Sequence, residues 1–126
     1  MEANEIRIGN YVQDGERVGF IKSIQPKTIV LKLPVSTIRM GVDDLEPTPL
    51  TEEWLLKFGA TKGLSGYYIL DTNNEQKTYL ATDLIEWYIS TDDSEYEELL
   101  FNTNIKHVHQ LQNLYHALTN NELSLK

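Results

Sequence analysis

The first third of the chain alternates apolar and polar positions over short stretches. Ile6, Ile8 and Tyr11-Val12 surround Gly9-Asn10, a turn or bulge signal. Asp14-Gly15 marks a tight hairpin turn. Val18, Phe20, Ile21 and Ile24 follow as a second strand in a segment rich in β-branched and aromatic residues. Pro26-Lys27 breaks it. Residues 28–33, TIVLKL, carry the strongest strand pattern; Pro34 ends it, and residues 37–42 form another strand. Four short strands joined by tight turns predict a small SH3-like β-barrel over residues 1–47.

The pattern changes at residues 46–50, EPTPL, where two prolines exclude a helix and stiffen the connection. A well-punctuated helix follows. Thr51 suits the N-cap, and Glu52 and Glu53 complement the dipole in the first turn. Leu50 and Leu55 stand at the positions of a hydrophobic staple, and Gly59 falls just past the C-terminus. Strands are then expected over 67–70, 77–81 and 84–90, the last with Ile85, Trp87 and Ile89 facing one way. Residues 96–101 are assigned to a fourth strand. The whole reads as an α+β fold. The barrel at 1–47 is followed by an α+β subdomain at 48–126 made of a helix, an antiparallel meander and a C-terminal helix, the two packed as one unit.

The C-terminal helix, IKHVHQLQNLYHAL over 105–118, is the clearest element. At about 100° per residue, Val108, Leu111, Leu114, Tyr115 and Leu118 fall within one arc of about 120°. The opposite face holds His109, Gln112, Asn113 and His116. From His107 to Leu118 there is no Asp, Glu, Lys or Arg. Imidazoles and amides both donate and accept hydrogen bonds, so this face is the candidate binding surface, for another subunit or a polar ligand. The plainer reading, which we prefer, is an uncharged helix packed on both sides within one domain.

The segments VHQLQNLYHALTNNEL and LTEEWLLKFG, together with the opening IRIGNYV, resemble a family of small proteins from gut Bacteroidetes and their phages and prophages. His116 departs from that pattern, which has an aromatic residue there. The resemblance implies a phage-linked origin and carries no activity with it.

Composition narrows the function classes. With 126 residues and a 40% hydrophobic fraction, the chain can bury a real core. It has no Cys, which removes disulfides, thiol nucleophiles and thiolate metal sites and suits a reducing cytoplasm. The N-terminus, MEANEIRIGN, is no signal peptide, and no apolar run approaches spanning length. The net charge is −8, distributed as +2 over residues 1–42 and −10 over 43–126. A chain this acidic is a poor general nucleic-acid binder; only the first third, with Arg7, Arg17, Lys22, Lys27, Lys32 and Arg39, offers a basic face.

Familiar chemistries fail on spacing. His109 and His116 share a helix face but lie about 10.5 Å apart along the axis, too far for one ion to bridge. Asn113 takes the slot an i, i+4 pair would need. The turn Asp71-Thr-Asn73-Asn-Glu75 lacks the Gly and Glu of a calcium loop. Gly63-Leu-Ser65-Gly66 breaks the nucleophile-elbow spacing. The acidic run Asp92, Asp93, Glu95, Glu97 and Glu98 reads as a solvated turn. No enzyme, cofactor or metal site is therefore expected. The leading expectation is a non-enzymatic phage-type accessory protein that acts by protein–protein contact or self-association. A small-ligand binder that sequesters a nucleotide signal is the alternative, followed by weak nucleic-acid binding through the barrel.

Overall fold

The computed structural model describes residues 1, 3–63, 66–72, 79–90, 98–99 and 105–126. These divide into two compact units, Met1–Pro49 with His107–Asn113, and Leu50–Lys106 with Leu114–Lys126. The last helix, α2 (Val108–Thr119), therefore gives its first turns to one unit and the remainder to the other. The division expected at residue 47 had placed the whole helix with the second part.

The first unit is an open five-stranded antiparallel sheet. Its strands are β1 (Tyr11–Asp14), β2 (Arg17–Ile24), β3 (Thr28–Lys32), β4 (Thr37–Gly41) and β5 (Glu46–Pro47). The spatial order is β4-β3-β2-β1-β5. Asp14 pairs with Arg17 across the first hairpin, where Gly15 adopts φ +60°, a conformation that side chains resist. A 3-10 turn over Val42–Asp44 carries the chain from β4 back to pair β5 on β1, Val12 opposite Pro47. Pro47 is tolerated because β5 is an edge strand. Alternation sorts the two faces: Val12, Ile21, Ile29 and Leu31 are fully buried and join Ile6, Leu33, Val42 and Leu45 in the core. At Gly19 a Cβ would sit 2.5 Å from the Lys32 carbonyl oxygen, so the strands approach more closely there than any other residue permits. The register slips between Ile21 and Ser23, leaving Lys22 in a bulge. No closed barrel forms among the described residues; the four expected strands are present, in an open sheet.

The second unit begins with α1 (Glu52–Lys57), capped as expected: Thr51 Oγ1 accepts from the Trp54 amide at 3.5 Å. Gly59 lies just beyond it at φ +95°. The second sheet is made of β6 (Thr61–Lys62), β7 (Tyr68–Asp71), β8 (Tyr79–Thr82), β9 (Trp87–Ser90) and β10 (Glu98–Leu99), in the order β10-β9-β8-β7-β6. Leu55, Phe58, Tyr68, Leu70, Leu80, Trp87, Tyr115 and Leu123 are buried in this unit. Glu98 and Leu99 of the expected strand at 96–101 are in place, paired with Ile89 and Tyr88. The rest of that strand, the acidic residues Asp92, Asp93, Glu95 and Glu97, the tip of the 71–75 turn, the start of the strand expected at 77 and Ser65 lie outside the described residues.

The strand expected over 84–90 is shorter by three residues. Asp83 Oδ1 accepts from the amides of Ile85 and Glu86 at 2.9 and 2.7 Å, and Thr82 Oγ1 accepts from Leu84 and donates to the Glu86 carbonyl. These bonds turn the backbone before Trp87, and Leu84 is held at φ +75°. Ile85 is consequently 83% exposed while Trp87 is buried. Asp83→Ala is expected to cost about 1 kcal/mol by urea unfolding, the usual net value of such bonds. Among the described residues no helix is long and apolar enough to cross a membrane.

Candidate interaction surface

The four helix residues singled out by the sequence fall in both units: His109, Gln112 and Asn113 belong to the first and half-buried His116 to the second. Gln112 is 1% exposed. Its Oε1 accepts from the Tyr11 amide at 2.8 Å and from Asn10 Nδ2 at 3.5 Å, and its Nε2 donates to the Gly9 carbonyl at 3.0 Å. Asn113 Oδ1 accepts from Asn10 Nδ2 and from Arg7 Nη1, both at 2.9 Å, while its Nδ2 donates to the Glu5 carbonyl. Asn10 completes the set by accepting from the Arg7 amide at 2.6 Å. Both amides are thus matched to the irregular backbone before β1. That is the arrangement of an uncharged helix packed on both sides. The sequence showed Gly9-Asn10 as a turn and gave no sign that Asn10, 1% exposed, is the partner of two helix amides.

His109 differs from its neighbours. It is 2% exposed, and neither ring nitrogen has a hydrogen-bond partner among the described residues. Its ring lies nearly parallel to that of His107, with centroids 5.9 Å apart and planes 14° apart. Burial, and then the neighbouring His107, push its pKa below the ordinary histidine value, with Glu5 opposing. The imidazole is therefore neutral at pH 7. Among the apolar residues of α2, Val108, Leu111 and Tyr115 are buried and Leu114 is half-buried. Leu118 is 40% exposed, so the expected stripe ends a turn early, just before Asn120 leaves the helix at φ +59°.

Among the described residues no group of three His, Asp or Glu side chains is placed to hold a metal ion. In the second unit, Tyr88 donates its hydroxyl to Glu86 Oε2 at 2.6 Å, and this bond pushes the phenol up to about 12. It stays protonated at neutral pH and is no base.

The surface that does stand open is the outer face of the first sheet. Register sets Tyr11, Phe20, Lys32 and Thr37 opposite one another across four strands, β1 to β4. Ser23, Val30 and Arg39 form a second row across β2 to β4. Phe20, Thr37 and Arg39 are exposed on this face. Tyr11 and Phe20 meet edge to face, centroids 6.2 Å apart. At one end of this face, between the β1–β2 and β3–β4 turns, lies a groove of about 440 Å³ walled chiefly by Val18, Leu33, Pro34 and Val35. A second hollow of about 280 Å³ shares Val18, Leu33 and Pro34 and extends over Tyr11, Phe20 and Lys32. Val35, at the tip of the β3–β4 turn, is 96% exposed. Sequence reasoning named the basic residues but missed the groove, which strand pairing assembles from two separate turns.

Comparison with protein-family models, with curated proteins and with solved structures returns no match.

Proposed function

We propose that the chain is a non-enzymatic accessory protein, phage- or prophage-type as its motifs suggest, that works by protein–protein contact through the outer face of its first sheet. We also read that sheet as an SH3-like fold, on its meander order and on the 3-10 turn that returns β5 to β1. The observation that carries the functional reading is the apolar groove beside the exposed Val35. Open apolar hollows flanked by exposed large side chains mark binding surfaces more often than chance exposure does. The helix face His109, Gln112, Asn113 and His116 serves this reading as support for the fold, because its amides bond internally.

Selection of a displayed random-peptide library against the full chain tests the proposal. Binders that compete with one another are expected, and Val35→Asp should weaken them at least about tenfold, as loss of a central anchor does. Circular dichroism should show that this variant remains folded, since the Val35 side chain is almost wholly exposed. An empty selection, or binders indifferent to Val35→Asp, would contradict it.

A further inference from the structure

The residues between Arg17 and Val42 hold five cations, Arg17, Lys22, Lys27, Lys32 and Arg39, and no Asp or Glu, in a chain of net charge −8. This stretch is β2, β3 and β4 with their connecting turns. The carboxylates of the first unit lie outside this stretch of sequence: Glu2 and Glu5 before β1, Asp14 and Glu16 at the first hairpin turn, and Asp43, Asp44 and Glu46 around the 3-10 turn and β5; of these Glu16, next to Arg17, lines the groove. Arg17 is neutralised by Asp14 at that hairpin, and Arg39 donates to Gln25 Oε1. Lys22 and Lys32 have no ion pair with a carboxylate among the described residues. Register places Lys32 opposite Phe20 and Arg39 opposite Val30 on the outer face, whereas Lys22 sits in the bulge. Lys32 also lines the hollow that adjoins the apolar groove.

Resting on the reading above, we infer that the partner presents an acidic peptide segment whose apolar side chain enters the groove between Val18, Leu33, Pro34 and Val35. Flanking Asp or Glu residues meet Lys32 and Arg39. Charge complementarity selects an anion, and the groove selects the class of macromolecule. Its lining surface is mostly apolar, with Glu16, Arg17 and Ser36 supplying the remainder, so the polar edges of a nucleobase would lose water there and gain few partners. Bases also bind by stacking on open aromatic faces, whereas Tyr11 and Phe20 meet at 70° with one ring edge against the other. An aliphatic or aromatic peptide side chain meets neither cost.

The peptides recovered from the library selection decide the matter. They should be enriched in Asp and Glu around an apolar residue. The double reversal Lys32→Glu with Arg39→Glu, in the full chain, should weaken them at least about tenfold, and raising salt should weaken binding to the wild type but not to the reversed variant. A milder variant, Lys32→Gln with Arg39→Gln, should weaken binding about fivefold and guards against misfolding of the reversal. Binders without acidic enrichment, or binding unmoved by either variant, would overturn the inference while leaving the groove reading intact. Fluorescence anisotropy with a single-stranded oligothymidine is the opposing arm: binding tighter than that of the selected peptides would also overturn it. An empty selection removes both proposals.

Discussion

Replacing Gln112 with alanine is expected to destabilise the protein by about 3 kcal/mol, the largest effect of any polar substitution in the helix. The side chain, itself 1% exposed, satisfies the part-buried Tyr11 amide and Gly9 carbonyl and also meets buried Asn10. Removing it leaves a part-buried donor and acceptor unpaired, each costing up to about 1–3 kcal/mol, and adds a small cavity. Gln112→Glu separates the contributions. It keeps the acceptor toward Tyr11 but sets a carboxylate oxygen against the Gly9 carbonyl, so it should be at least as harmful at pH 7 and partly relieved as the carboxyl protonates. Urea midpoints read both variants. A loss under 0.5 kcal/mol for Gln112→Ala would mean that the amides of α2 do not hold the backbone before β1.

The second large effect is a pH dependence that belongs to His109. Burial keeps its folded pKa below the unfolded value of about 6.5. Above that pH both states are neutral at this residue, and it contributes no slope. Below it the unfolded chain takes up a proton that the folded chain refuses, so stability falls as pH falls, by up to about 1.4 kcal/mol per pH unit, until the folded group itself titrates. His107 reinforces the effect and Glu5 moderates it. His109→Leu should abolish this loss between pH 6.5 and 5.5. At pH 7 it should be neutral or stabilising by up to about 1 kcal/mol, because it replaces two unpartnered buried nitrogens with an apolar group of similar size. Urea unfolding of both proteins across that range is the check, and an unchanged slope in the variant would place the titration elsewhere.

These two residues also show what the sequence could and could not reveal. The absence of charge from His107 to Leu118 was plain, and it announced a helix enclosed on more than one side. What enclosed it was hidden, because Asn10 and Gly9 reach Gln112 across more than a hundred residues. Hairpins marked by Asp14-Gly15 and the helix capped by Thr51 were legible because their signals are local. Two-residue strands such as β5 and β6 are too short to show a period of two, and only pairing reveals them. Ile85 misled because its alternation with Trp87 and Ile89 was intact, yet the Asp83 side chain captures the backbone amides that a strand would use. For the proposed site, the cations could be read directly from the sequence. The placement of Lys32 and Arg39 on one face with Phe20 could not, since it depends on the register of β2 against β3 and β4.

The most direct trial of recognition through the first sheet is to titrate isotope-labelled full-length protein with a selected peptide and follow its backbone amide resonances. The shifts should centre on Val18, Phe20, Lys32 and Val35 and leave His116 to Thr119 in place. Shifts concentrated on the C-terminal half of α2 or on β7 to β9, with the first sheet silent, would contradict the account.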